Sequence, residues 1–131
     1  MNSEETYIDF EEAFFFDSYA FFEILKANER YNKYKEAEIV TTKLNLFELY
    51  FGILKEKNET EAKEILDLYY SFAIDFDKDI IKEAAKFKNE FNKKDISMTD
   101  CIGYTLAKQL GIKFLTGDKE FEELDNVEFV K

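Results

Sequence analysis

Four acidic residues stand where charges are otherwise rare in this sequence. Most of the 29 acidic residues lie among other charged residues, as solvated positions do. Asp17 is the only charge in AFFFDSYAFF, and Glu48 is the only charge in LNLFELYFGIL. Asp100 is the only charge in ISMTDCIGYTLA, and Asp118 directly follows the apolar run FLTG. Because a carboxylate is costly to bury unpaired, each of the four needs a hydrogen bond, a counter-charge or a metal ion.

Gathered in one place, these carboxylates would raise one another's pKa and would be stable mainly around a cation. The sequence has no histidine and a single cysteine, Cys101, so imidazole bases, Ser-His-Asp triads and Cys-x-x-Cys zinc sites are excluded. Ligation by oxygen alone favours a hard ion, Mg²⁺ or Mn²⁺. Such an ion can lower the pKa of a water molecule and stabilise a leaving phosphate oxygen.

Three of the four acids also have a structural explanation. Asp17 and Asp118 are well suited to cap the helical segments that follow them, and Asp100 in a first helical turn would complement the helix dipole. Glu48 has no capping role, since it lies in the middle of a predicted helix. Cys101, beside Asp100, is interpreted as a core residue rather than a reactive group.

The elements that must position these residues alternate between short strands and helices. Strands are predicted over residues 13–16, 38–41, 73–76, 112–116 and 127–130. Helices are predicted from Ser18 to about Tyr34, from the Thr42 cap to about Lys57, from Thr60 to about Tyr70, over 78–92, from Ser97 to Leu110 before Gly111, and as a turn over 119–124. The stretch 92–95 is predicted to be a loop.

This alternation predicts an α/β fold with a central parallel sheet of four to five strands, flanked by helices on both faces. Its functional crevice should lie beyond the carboxyl ends of the strands, where Asp17 and Asp118 both fall. In the helix after Thr42, the spacing of the apolar residues predicts a core face made of Phe47, Tyr50, Phe51 and Leu54.

Length and composition favour one intracellular domain. The 131 residues suit a single domain spanning 1–131, with an acidic lead over residues 1–12. No apolar run could span a membrane, and the acidic lead is unlike a secretory signal, so we expect a cytoplasmic protein. The net charge of −11 argues against general coating of nucleic acid. Lys78, Lys82 and Lys86 would share one helical face, either as a solvated face or as a track for a phosphate backbone.

Three segments in order carry a resemblance to a known family: FFFDSYAFFEIL, TTKLNLFELYFGIL and SMTDCIGYTLAKQLGIKFLTGDKEF. The third is the most specific, with an Asp opening a helix, an A-K-x-x-G close, a strand and T-x-D-x-x-F. The chain resembles PIN-domain ribonucleases, and among them the VapC-type toxins of prokaryotic toxin–antitoxin pairs. The resemblance extends from about Ala13 onward. The acidic lead and the strongly negative charge depart from the family's pattern.

The resemblance implies a PIN-like fold, a Mg²⁺ or Mn²⁺ site and cleavage of RNA. It implies that Asp17, Glu48, Asp100 and Asp118 form the family's acidic quartet, acting as metal ligands and catalytic residues. Ser18 and Thr116 match the small hydroxyl positions that support this site. It also implies an antitoxin protein as a partner.

Two functions follow as alternatives. The first is a metal-dependent endoribonuclease, either a toxin or an RNA-processing enzyme, in which Lys93 and Lys119 lie where they could reach the substrate. The second is a non-catalytic PIN-like protein-interaction module. Fifteen phenylalanines and eight tyrosines either fill an aromatic core or provide a surface for a homodimer, which we expect, or for an antitoxin.

Overall fold

A computed structural model describes residues 12–91 and 96–131, in which helices and strands alternate. The strands are β1 (Ala13–Phe16), β2 (Glu38–Val40), β3 (Lys113–Thr116) and β4 (Val127–Phe129). The α-helices are α1 (Ser18–Leu25), α2 (Lys43–Glu56), α3 (Glu59–Tyr69), α4 (Lys78–Phe91) and α5 (Met98–Leu110). Short 3₁₀ helices cover Glu29–Tyr34, Tyr70–Phe72 and Lys119–Phe121.

Within the described residues, four strands form one parallel sheet in the order β2-β1-β3-β4. The chain runs from β1 to β2 on one side of the sheet and from β3 to β4 on the other. Strands β1 and β3 therefore flank a topological switch point, the place where parallel sheets usually bind ligands. The prediction of a central parallel sheet is confirmed.

Helices cover both faces of the sheet. Successive side chains of one strand point to opposite faces, so neighbouring strand residues pack against different helices. Phe15 and Phe114 pack with residues of α4 and α5 in one core cluster. Phe16 and Leu115, their neighbours in β1 and β3, pack with residues of α1, α2 and α3 in a second cluster. Strands buried on both faces explain the continuous apolar run of β1. The predicted helical cover of both faces is confirmed.

The helix predicted from Ser18 to Tyr34 is broken. Helix α1 ends at Leu25, and Ala27 adopts a left-handed backbone conformation with φ of 60°. The side chain of Asn28 then caps a separate 3₁₀ helix by accepting a hydrogen bond from the Arg30 N–H. The apolar spacing continues across this break, so periodicity alone did not reveal it.

The core face predicted for α2 is wrong at three of its four residues; only Tyr50 packs against the second core cluster. Phe47 and Phe51 have 72% and 53% of their surface exposed, and Leu54 is exposed as well. Leu46 and Leu49 point into the core instead, together with Ile53. Helix α2 has apolar residues on two sides, and packing against α1 and α3 selects the side that carries Leu49.

Two smaller predictions also differ from the structure. Helix α3 is capped by Asn58, whose side chain accepts from the Glu61 N–H, rather than by Thr60. Residues 73–76 form no described strand; Ala73 makes a single bridge to Thr41. The predicted loop at 92–95 and residues 1–11 of the acidic lead lie outside the described residues. No helix among residues 12–91 and 96–131 is long and apolar enough to cross a bilayer.

Candidate active site

Strands β1 and β3 end beside each other and deliver two of the four predicted acids to the same edge of the sheet. Phe16 pairs with Leu115, so the next residues, Asp17 and Thr116, are neighbours across the switch point. The Asp17 N–H donates to the Leu115 carbonyl at 3.4 Å. Asp118 follows two residues after β3 ends. Asp17 and Asp118 therefore both lie beyond the carboxyl ends of neighbouring strands, as the sequence predicted.

Asp17 is a buried carboxylate at the start of α1. Only 2% of its surface is exposed, and its Oδ1 accepts a hydrogen bond of 2.8 Å from the Ala20 N–H, which caps the helix. Burial raises the pKa of Asp17 to about 8, although hydrogen bonds from Thr116 and Ala20 oppose the rise. The negative charges of Asp100 and Asp118 raise this pKa further. Ionised Asp17 is therefore held at a cost that a nearby cation would offset.

Asp100 lies in the first turn of α5 and belongs to a capping box with Ser97. The Asp100 N–H donates to the Ser97 hydroxyl at 3.0 Å, and the Ser97 N–H donates to Asp100 Oδ2 at 3.4 Å. Burial raises the pKa of Asp100 to about 6; the bonds to Ser97 oppose this rise, while the charges of Asp118 and Glu48 add to it. Capping thus fixes a carboxylate that also faces the other acids.

Asp118 is oriented by the turn that follows β3. Its N–H donates to the Thr116 hydroxyl at 3.1 Å, and its Oδ1 accepts from the Glu120 N–H at 3.0 Å. Gly117 lies between Thr116 and Asp118, in close contact with other residues of the same chain. A Cβ added there would lie 2.3 Å from the Tyr19 ring and 2.4 Å from the Val130 carbonyl oxygen. Only glycine fits this turn without displacing its neighbours.

Glu48 reaches the same region from α2 and is held by Ser18. The Ser18 hydroxyl, directly after Asp17, donates to Glu48 Oε1 at 2.5 Å. Asn45 lies one turn before Glu48, is fully buried and donates from Nδ2 to Ser18 Oγ at 3.4 Å. Sequence reasoning identified Ser18 but missed Asn45. Its signal is an amide in an otherwise apolar stretch, three residues from both Thr42 and Glu48.

The electrostatic couplings link all four acids, although they come from four separate elements. Asp17 is affected by Asp100 and Asp118, and Asp100 is affected by Asp118 and Glu48. In the part of the chain that the structure describes, no three Asp, Glu or Cys side chains are arranged as a ready metal-binding group. The carboxylates thus share one negatively charged region without forming a closed ligand set.

The other predicted functional residues that the structure describes lie outside this region or on its border. Cys101 is buried in the core next to α4, as interpreted from the sequence. Lys119 is exposed in the 3₁₀ helix after Asp118, whereas Lys93 lies outside the described residues. Lys78, Lys82 and Lys86 are exposed along α4, and Lys86 pairs with Glu83 at 3.6 Å.

Several solved structures share this fold. A toxin-antitoxin complex from Klebsiella pneumoniae matches with a TM-score of 0.69 and 18% identity, covering 87% of this chain and 94% of that chain. VapBC2 from Rickettsia felis, bound to a DNA fragment from their promoter, matches with a TM-score of 0.68 and 19% identity, covering 90% and 97%. DNA-bound VapBC from Salmonella typhimurium matches with a TM-score of 0.66 and 19% identity, covering 90% and 96%.

At identities of 18% and 19%, these matches show that the chain shares the fold of those structures. No match was found among curated proteins. The sequence of residues 14–127 matches the PIN domain family, a span that includes all four strand-end and helix acids. With this match along most of its length and the parallel sheet to go with it, the chain belongs to the PIN domain family.

Proposed function

We propose that this PIN domain is a metal-dependent endoribonuclease that hydrolyses RNA phosphodiester bonds at the edge bearing Asp17, Glu48, Asp100 and Asp118. The observation that carries the proposal is the state of Asp17. Its carboxylate is almost fully buried at the switch point, and the charges of Asp100 and Asp118 oppose its ionisation. Carboxylates whose pKa is strongly raised by burial and by neighbouring charges are found mainly at functional sites.

The residues present fit a hard divalent ion by donor type and charge. Four carboxylates supply oxygen atoms only, which suits Mg²⁺ or Mn²⁺. Mg²⁺ usually keeps several water molecules and binds through one or two carboxylates together with substrate phosphates, so a closed group of three ligands is not required. Asp17, Asp100 and Asp118 would hold the ion, with Glu48 completing its surroundings. When bound, the ion supplies an activated water molecule and neutralises charge on the phosphate.

The chain's own residues prepare this site in three ways. The Thr116 hydroxyl lowers the pKa of Asp17 and so favours the ionised carboxylate that an ion needs. Ser18 holds Glu48 by one oxygen and restricts its rotation. The turn at Gly117 brings Asp118 back towards Thr116. Together these bonds preorganise carboxylates that would otherwise repel one another.

The solved structures of similar fold include toxin–antitoxin complexes, and we extend that biology to this chain as part of the proposal. The enzyme would act as the toxin of such a pair, with an antitoxin protein as its partner and cytoplasmic RNA as its substrate. An RNA-processing role is the alternative within the same chemistry. We also propose that the protein forms a homodimer.

A second candidate, a non-catalytic protein-interaction module, is favoured by the outer face of α2. Phe47 and Phe51 are largely exposed there, and their rings stack with centroids 6.4 Å apart. Exposed aromatic pairs of this kind are frequent in protein interfaces. In such a module the acids would have no catalytic role. The first candidate would therefore cleave RNA and the second would not.

The test is cleavage of defined single-stranded RNA oligonucleotides with Mg²⁺, with Mn²⁺ and with a chelator. We expect cleavage by the wild type that the chelator abolishes, and a loss of more than about 100-fold in Asp17→Asn and Asp118→Asn. Both variants should fold, because asparagine caps a helix as well as aspartate. Asp67→Asn, an exposed position on α3, is the matched control and should cleave normally. Full activity in both site variants would refute the proposal.

A further inference from the structure

A line of hydrogen bonds runs inside the protein from the start of α2 to Glu48. The Thr42 hydroxyl donates to Asn45 Oδ1 at 2.6 Å, and Asn45 Nδ2 donates to Ser18 Oγ at 3.4 Å. The Ser18 hydroxyl then donates to Glu48 Oε1 at 2.5 Å. We propose that Asn45 is a positioning residue that acts through Ser18 to fix the Glu48 carboxylate. The proposal rests on the proposed function, since it assigns a role within the same site.

The direction of each bond is set by what the groups can donate and accept. The Thr42 hydroxyl accepts from the Asn45 N–H at 3.2 Å as the cap of α2, which directs its own proton to Asn45 Oδ1. With its oxygen occupied in this way, the Asn45 amide presents its N–H₂ end to Ser18. The Ser18 hydroxyl thereby accepts one hydrogen bond from the Asn45 amide and has a single proton to donate. It donates that proton in the hydrogen bond to the Glu48 carboxylate.

The alternative acceptor for Ser18 shows why the amide matters. The Ser18 hydroxyl also lies 3.4 Å from the Asn45 backbone carbonyl, well beyond its distance to Glu48. Without the Asn45 amide, the hydroxyl is free to rotate between these two acceptors. With the amide in place, a lone pair of the Ser18 hydroxyl accepts the amide N–H. The hydroxyl proton then favours the short bond to the charged Glu48 carboxylate.

Burial makes this role specific to a two-ended polar side chain. Asn45 and Thr42 are both completely buried, so each must satisfy its polar atoms inside the protein. An apolar residue at position 45 would suit the neighbouring core better. An amide there indicates that the bond to Ser18 has a use beyond filling space.

The test is a double-mutant cycle between Asn45 and Glu48, read out by Mn²⁺ calorimetry and by kcat and KM on RNA. Asn45→Ala should weaken Mn²⁺ binding or lower kcat by roughly 10- to 100-fold with KM little changed, as loss of a supporting hydrogen bond does. In a Glu48→Gln background the same change should cost less than about threefold, because Asn45 then has no carboxylate to position.

Two further variants separate positioning from general damage. Asn45→Leu keeps the side-chain size and improves helix propensity, so it provides a folded protein if Asn45→Ala is unstable. Asn58→Ala removes an asparagine that caps α3, and should leave Mn²⁺ affinity and kcat unchanged. Equal losses from the Asn45 variants with and without Glu48, or no loss at all, would overturn the inference.

The outcome also distinguishes this inference from the proposed function. A wild type that binds Mn²⁺ and cleaves RNA, with additive effects of Asn45 and Glu48, would overturn the inference alone. A wild type that binds Mn²⁺ without cleaving RNA would overturn the proposed function, while coupling in Mn²⁺ affinity would still support the role of Asn45. A wild type that does neither would overturn both.

Discussion

The Thr116 hydroxyl lowers the pKa of the buried Asp17 carboxylate across the boundary between β1 and β3. The same hydroxyl accepts the Asp118 N–H at 3.1 Å. One threonine thus connects the acid that follows β1 to the acid that follows β3. Because β1 and β3 flank the switch point, this side chain lies where the strand order reverses. It ties two acids in the candidate site to the sheet itself.

Replacing Thr116 with valine should therefore weaken the site more than it weakens the fold. The change removes the hydroxyl that accepts the Asp118 N–H and lowers the pKa of Asp17, and it should cost about 1–3 kcal/mol of unfolding free energy. It should also raise the pKa of Asp17 further and lower Mn²⁺ affinity roughly 10- to 100-fold. Calorimetry and urea denaturation measure the two effects. Thr116→Ser keeps the hydroxyl and should retain most of the affinity; equal loss in both variants would contradict the role of the bond.

The raised pKa of Asp17 predicts an unusual pH dependence for the metal-free protein. The ordinary value near 3.8 applies to the unfolded chain, and the folded value is about 8. The folded state then binds the proton more tightly, so this stabilisation is complete below about pH 4 and is lost as pH rises to 8. The shift of Asp100 to about 6 acts in the same direction over a narrower range.

Urea denaturation in a chelator at pH 6 and pH 8 should show this loss directly. One pKa unit corresponds to about 1.4 kcal/mol, so the decrease in unfolding free energy should reach about 2 kcal/mol over this interval. Asp17→Asn should show a smaller decrease and should be more stable than the wild type at pH 8. An identical pH dependence in both proteins would show that Asp17 is not the group responsible.

Gly117 allows a prediction about the turn that carries Asp118. Gly117→Ala introduces a Cβ at 2.4 Å from the Val130 carbonyl oxygen, which is backbone and moves little. We expect a loss of about 1–3 kcal/mol in unfolding free energy and weaker Mn²⁺ binding, because Asp118 is displaced. Gly111→Ala is the comparison. Its φ of 73° makes alanine strained there as well, but nothing lies within 4 Å of an added Cβ. It should lower stability without changing Mn²⁺ affinity.

The two apolar sides of α2 should respond differently to substitution. Leu49→Ala removes a buried side chain and should cost about 2–5 kcal/mol of unfolding free energy. Phe47→Ser alters a ring that is 72% exposed and should change stability by no more than about 0.5 kcal/mol. Light scattering on the same samples would show whether the exposed rings take part in a homodimer. A large loss from Phe47→Ser, with little from Leu49→Ala, would contradict the packing of α2.

Those two residues also show what the sequence could and could not determine. The apolar pattern of α2 fits two helical sides, and nothing local distinguishes Leu49 from Phe47. The choice depends on α1 and α3 packing against the helix, which is a tertiary effect. The break at Ala27, after α1, could not be predicted for a related reason, since a single residue with positive φ leaves the apolar spacing intact.

The candidate site was more predictable, because buried charges are costly wherever they occur. Asp17 and Asp118 follow strands whose parallel pairing brings their carboxyl ends together, so the topology alone made them neighbours. Asn45 was not predictable in the same way. A neutral amide in a helix has many uses, and its bond to Ser18 depends on α1 and α2 meeting at the end of β1.

The most direct test of the account is anomalous X-ray diffraction from crystals soaked in Mn²⁺. The account predicts an anomalous peak at the carboxyl end of β1 and β3, within coordination distance of Asp17 or Asp118 and absent from Asp17→Asn crystals. A peak confined to other surface carboxylates, or no peak at Mn²⁺ concentrations that support RNA cleavage, would contradict it.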